Sequence, residues 1–123
     1  EGLEGMTHTF HDLFRENLIQ ERWLHTVPPV LINTWESMYF DVSHAKVVNL
    51  AKAAKECGVE MVVLDDGWFG GRDDATSSLG DWHENKNKFP QGLAGLVHDV
   101  NEIGLKFGIW VEPEMVNVDS ILY

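Results

Sequence analysis

Two adjacent carboxylates, Asp65 and Asp66, stand at the end of the apolar run Met61 to Leu64 and are followed by Gly67, Trp68 and Phe69. Like charges held that close repel, and each costs desolvation. A bare turn needs only Asp-Gly or Asn-Gly. Carboxylates beside aromatic faces suit a sugar: acceptors for the hydroxyls, and flat surfaces for the C–H face of the ring. Such a pair can also serve as acid and nucleophile, or acid and base, across a glycosidic bond, at ~5–5.5 Å in retaining and ~6.5–9.5 Å in inverting enzymes. Successive strand residues point to opposite faces, so neighbours rarely hold that geometry. Hydroxyl binding is the better role, reached where the chain leaves β geometry and both side chains can enter one mouth. The alternative is a polar turn with Asp66-Gly67 as its tip.

Trp35 follows a second apolar run, Val30 to Asn33, and Trp110 lies in a third, Leu105 to Val111. An indole at a strand end can stack on a sugar ring while its N–H donates a hydrogen bond, or it can close the mouth of the fold as a core residue. Trp68 and Trp82 are expected to pack the intervening loop down. Glu112 and Glu114 flank Pro113, and support through a basic partner is their expected role, because an isolated buried carboxylate is costly. His8 and His11 are three apart on a helix without a further ligand in sequence, so no metal site is expected. His83 lies in the long loop. Gly67, Gly70 and Gly71 precede an acidic stretch that would repel phosphate, and there is no Gly-x-Ser-x-Gly elbow.

The elements that must position these residues alternate. An amphipathic helix is predicted over 6–22, with Met6, Phe10, Leu13, Phe14 and Leu18 on one face and Thr7 or Thr9 as cap. Strand one is Val30 to Asn33. A helix follows over 44–57, with Ser43 as N-cap, Gly58 beyond its end, and Val47, Leu50, Ala51, Ala54 and Cys57 inward, which makes Cys57 a buried, inert thiol. Strand two is Val59 to Leu64. Gly70 to Pro90 is a polar loop long enough to be functional or disordered. A helix over 93–103, turning Leu96, Val97, Val100 and Ile103 inward, ends at Gly104 and leads to strand three. Near-continuous apolar strands predict a parallel sheet buried on both faces. Every cluster of aromatics and carboxylates then falls at the C-terminal edge, where α/β folds and above all (β/α)8 barrels bind ligands.

The 123 residues allow one domain. A net charge of −11 argues against nucleic acid and anionic membrane as partners. No apolar run approaches a membrane span and no cleavable leader is visible, so a cytoplasmic protein is expected. Three strands cannot close a barrel, which takes ~200 residues or more. The sequence is therefore read as an excerpt of a longer chain, or as one that completes its sheet by association. The exposed edge of a three-stranded sheet predicts that the polypeptide alone aggregates, associates or stays partly molten.

Three segments carry a family resemblance: PVLINTWESMYFD at 29–41, LDDGWFGGRDDATSSLGDW at 64–82 and KFGIWVEPEMV at 106–116. Residues 28–123 closely resemble the start of the catalytic barrel of family 36 glycoside hydrolases, the bacterial-type α-galactosidases. Residues 1–27 look like that family's linker helix from a preceding β-sandwich domain. The resemblance implies an α/β fold, a partial (β/α)8 TIM barrel comprising the first three βα units. It implies a retaining hydrolase of terminal α-galactosides such as melibiose, raffinose and stachyose, without metal or organic cofactor, and a full-length protein that is often a homotetramer. It assigns Asp65 and Asp66 to the galactose hydroxyls and Trp35 and Trp110 to the lining of the galactose subsite. The family's nucleophile is the Asp of a Lys-Trp-Asp motif on the fourth strand and its acid/base an Asp on a later strand; no Lys-Trp-Asp occurs here, and the sequence is expected to end before either residue. The isolated chain is thus expected to supply part of the substrate pocket and no turnover. The alternatives are a non-catalytic carbohydrate-binding or assembly module, and a related barrel that reads another sugar.

Overall fold

The apolar run that ends at the Asp pair is the central strand of a three-stranded parallel sheet. The computed structural model describes residues 2–123. In it β1 is Leu31–Asn33, β2 is Met61–Leu64 and β3 is Lys106–Ile109, ordered β1-β2-β3. Ile32, Val62 and Phe107 form one row of the register, and Asn33, Val63 and Gly108 the next. Side chains alternate across a strand, so Val62 and Leu64 are fully buried while Met61 and Val63 are only half-buried. Leu31 and Asn33 are exposed. Burial of both faces, expected from the apolar strands, therefore holds for one face only among the described residues. The parallel arrangement stands, because each connection crosses back over that covered face through a helix.

Those crossovers are α4, His44–Glu56, and α5, Gly92–Glu102. The Ser43 hydroxyl accepts from the Lys46 N–H at 3.4 Å and caps α4. At the far end Gly58 has φ 81°, its N–H reaches Lys55 O at 3.0 Å and the Val59 N–H reaches Ala54 O at 3.1 Å. Gly104, φ 85°, ends α5 in the same way, with Leu105 N–H on Val100 O. These are paired left-handed C-terminal caps, which glycine adopts without steric penalty. Val47, Ala51 and Ala54 of α4 and Leu96 and Val100 of α5 join Val62, Leu64 and Leu105 in the core. Cys57 is exposed rather than buried, because it is the C-cap of α4 and has left the inward face. Leu50, Val97 and Ile103 are half-buried.

The N-terminal helix differs from its expected form. α1 runs Leu3–Leu13, continues as a π-helical turn over Phe14–Leu18, and α2, Glu21–Leu24, follows; α3, Trp35–Met38, is the single turn after β1. Thr7 and Thr9 are not caps; their hydroxyls donate back to Leu3 O and Gly5 O inside the helix. The apolar stripe Met6, Phe10, Leu13, Phe14 and Leu18 is real but exposed.

The segment 70–90 contains neither helix nor strand, yet it is folded. Phe69, Leu79 and Phe89 bury themselves beneath it, and Phe69 pairs with Glu84 in an antiparallel bridge. The stretch after β3 clamps it from outside. Leu79 N–H donates to Asn117 Oδ1 and Asn117 N–H to Leu79 O, both at 2.8 Å, and Ile121 N–H donates to Asp81 Oδ1.

Candidate functional site

Successive strand ends meet at one edge of the sheet. Thr34, fully buried after β1, is the pivot: its N–H donates to Val63 O at 3.0 Å, and its hydroxyl accepts from the Asp65 N–H at 2.9 Å. Trp110 N–H donates to Leu64 O at 2.8 Å. The turns after β1, β2 and β3 are thereby tied side by side.

Asp65 lies half-buried on the open face of the sheet. Its Oδ2 accepts from Asn33 Nδ2 at 2.5 Å and its Oδ1 from the Asp66 N–H at 2.7 Å. Asn33 Oδ1 in turn accepts from the Trp35 N–H at 2.7 Å, so one amide side chain orients both Asp65 and the turn bearing Trp35. A carboxylate offers about four lone-pair sites. Asp65 retains room for ligand hydroxyls.

Asp66 points the other way, as alternation requires. It is 6% exposed. Its carboxylate accepts from Arg72 Nε at 3.0 Å and Nη2 at 2.9 Å, and from the Gly67 N–H at 2.7 Å. Arg72, itself buried, also donates to Ser77 O at 2.7 Å and lies over the rings of Phe40 and Phe69. The two carboxylates therefore diverge, one toward the open face and one into an ion pair that holds the loop. They do not confront each other across a gap, and no acid–nucleophile couple is formed by them.

Trp35 is half-buried and meets Tyr39 and Phe40 edge-on, at 5.1 and 5.0 Å between ring centroids. Trp110 is half-buried within a second aromatic group, 6.4 Å from Phe69 and 6.5 Å from Trp82. Trp68 is buried, and its indole N–H donates to Trp110 O at 2.9 Å. Trp68 and Trp82 do pack the loop down. Glu112 is half-buried and Glu114 exposed, and among the described residues neither makes an ion pair. His83 is exposed; its backbone, not its ring, holds Gly70. His8 and His11 sit exposed on α1. Among the described residues no group of three His, Cys, Asp or Glu is placed to hold a metal ion, and no helix is long and apolar enough to cross a membrane.

In the loop 70–90, Asp74 accepts from both the hydroxyl and the N–H of Thr76, which hold its carboxyl below the usual carboxylate range. Hydrogen bonds from Lys46 to Asp41 and from Lys86 to Glu84 lower those two carboxyls in the same sense.

Asn33, Arg72 and Lys88 are the polar side chains that sequence reasoning passed over. Asn33 lies inside the first motif. Arg72 is the nearest base in sequence to the Asp pair, which is the signal that could have found it. Lys88 gave none, since its partners lie 16, 21 and 48 residues away.

The whole chain, residues 1–123, matches the family described as Melibiase. It is 54% identical over its full length to α-galactosidase AgaA of Geobacillus stearothermophilus and 50% identical to α-galactosidase 1 of Pediococcus pentosaceus, and spans 17% of each. The crystal structure of the Geobacillus GH36 enzyme superposes with a TM-score of 0.89 over all of this chain and 17% of that one. Variants of that enzyme have been solved with stachyose and with raffinose. The family resemblance carried by the three sequence segments is thus confirmed.

Proposed function

The chain belongs to the melibiase family, and from that premise we propose that it forms the first three strand–helix units of a (β/α)8 catalytic barrel in a longer, retaining α-galactosidase. Residues 1–27 are the linker helix from a preceding β-sandwich domain, and 28–123 are barrel. The observation that carries this reading is the strand-end edge itself. Asn33 aims Asp65 at the open face beside the turn that bears Trp35, and Trp110 is tied to the end of β2.

In this reading a terminal galactose seats against Trp35 and Trp110, whose rings cover its apolar face. Asp65 accepts sugar hydroxyls directly. Asp66 contributes from its buried ion pair and keeps the turn in place. Asp65 serves binding directly and Asp66 through the turn it holds, and the nucleophile and the acid/base are carried elsewhere in the longer protein. Substrates are α-galactosides of the melibiose, raffinose and stachyose type, met in the cytoplasm by a homotetramer that uses no metal or organic cofactor. Galactose release from raffinose by the longer protein, with none from the isolated 123-residue polypeptide, is the expected outcome. Turnover by the isolated polypeptide would overturn the placing of the catalytic pair. Galactose binding by the longer protein without any hydrolysis would favour a non-catalytic carbohydrate-binding module instead.

A further inference from the structure

Lys88 lies in the loop before α5, and its ammonium is inserted among backbone carbonyls. Nζ donates to Phe40 O at 2.9 Å, Gly67 O at 2.9 Å and Arg72 O at 3.1 Å, and lies 2.7 Å from Asp73 Oδ1. The side chain is 14% exposed. An ammonium has three N–H donors; the three carbonyls and the exposed Asp73 carboxylate share them, and the carbonyls come from the turn after β1 and from two places in the loop after β2. Three carbonyl dipoles converging on one point repel one another unless a cation sits there.

Each of those carbonyls belongs to a residue that touches the proposed galactose site. The Phe40 ring packs against Trp35. Gly67 follows Asp66 directly, and its N–H binds that carboxylate. Arg72 holds Asp66 with two nitrogens. The turns after β1 and β2 are also in backbone contact, since a Cβ at Gly67 would lie 2.9 Å from both Phe40 Cα and Phe40 O. Lys88 itself is held rigidly: its backbone O accepts from the His44 N–H at 3.0 Å, and its neighbour Phe89 is fully buried.

We propose that Lys88 is a positioning residue for the sugar site, a tethered cation that sets the separation of the Trp35 turn from the Asp65-Asp66 turn without touching substrate. This deepens the galactosidase reading and rests on it. A guanidinium is planar and cannot place three donors on one point, so charge alone does not suffice. A cleft of about 390 Å³ bounded by Met38, Tyr39, Phe40, Asp41, Asp73 and Lys88 gives a small amine access to the vacated position.

The test compares the longer wild-type protein with Lys88→Ala and Lys88→Arg. The readouts are KM and kcat on p-nitrophenyl α-galactoside and hydrogen exchange of the amides of residues 65–72. Both variants should raise KM about tenfold or more, the scale of one lost charged hydrogen bond, with a smaller change in kcat. Both should exchange faster at 65–72. Propylammonium, which replaces the atoms that Lys88→Ala removes, should restore KM and exchange in that variant, whereas sodium chloride should not, and neither should alter the wild type. Unchanged KM and exchange in both variants would overturn the proposal. So would wild-type behaviour of Lys88→Arg, or losses in Lys88→Ala that propylammonium leaves untouched. A wild type without galactosidase activity would refute the parent reading, while the exchange data would still decide for or against the Lys88 staple. If Lys88→Ala does not accumulate as folded protein, Lys88→Arg carries the comparison.

Discussion

Asp66→Asn in the longer protein separates the two members of the carboxylate pair. The change is nearly isosteric and removes the negative charge. Arg72, with its side chain 5% exposed, then keeps a positive charge in a dry site without its counter-ion. Breaking a buried ion pair from one side costs about 3–5 kcal/mol. Asp65→Asn meets no buried cation; its single amide oxygen can accept from Asn33 Nδ2 or from the Asp66 N–H but not from both, so one hydrogen bond is lost at a structural cost of about 1 kcal/mol. Hydrogen exchange of the loop 66–90 reads the difference locally and avoids assuming that a large protein unfolds in one step. Asp66→Asn should accelerate that exchange by at least about 100-fold, the kinetic equivalent of about 3 kcal/mol, and Asp65→Asn by about tenfold at most. Adding Arg72→Met to Asp66→Asn should recover much of the loss, because the uncompensated charge is gone. Equal exchange in the two single variants would refute the division of labour between Asp65 and Asp66.

Gly67→Ala should fail structurally: φ is 95°, a conformation that costs a side chain about 1–3 kcal/mol, and the Cβ would strike the Phe40 backbone. A lowered melting temperature together with lost activity would show this, and a wild-type melt would count against it. Trp35→Ala should remove about 1 kcal/mol of ring stacking, roughly fivefold in KM, read from steady-state kinetics. Asn33→Ala deprives Asp65 of a charged hydrogen bond worth about 1.5–3 kcal/mol and should lower kcat/KM roughly tenfold or more while the protein stays folded by circular dichroism. Asp74 has its carboxyl held below the usual range, so its turn is stabilised above that range and released as pH falls through the lowered value. Hydrogen exchange of the Thr76 amide should accordingly be slower in wild type than in Asp74→Ala at neutral pH, with the difference shrinking on acidification.

Local signals in the sequence carried local structure. Ser43, Gly58 and Gly104 mark helix ends by the chemistry of capping, and the structure uses all three. The strand-end position of Asp65, Trp35 and Trp110 followed from the same logic. What the sequence did not expose was cross-chain accounting. Arg72 takes Asp66 out of the open face, and Lys88 joins turns separated by up to 48 residues. Such pairings have no period and no fixed spacing. Cys57 shows the limit of periodicity, since a residue one step past a helix end leaves the face on which its spacing places it. The stripe from Met6 to Leu18 has the spacing of an amphipathic helix, yet it is exposed. The curated relatives extend far beyond the 17% of their length that this chain spans, and a helix face is buried only by what it packs against.

The central claim is that the Asp65 edge reads galactose. The direct measurement is kcat/KM of the longer protein on p-nitrophenyl α-galactoside against the α-glucoside, for wild type and Asp65→Asn. A site built to hydrogen-bond a substrate hydroxyl rejects an analogue lacking it by roughly 10⁴-fold, and the glucoside, epimeric at C4, withdraws its 4-hydroxyl from the position that the galactoside fills. The wild type should favour the galactoside on that scale, and Asp65→Asn should collapse the preference. A glucoside preference in the wild type, or an undiminished galactoside preference in Asp65→Asn, would contradict the account.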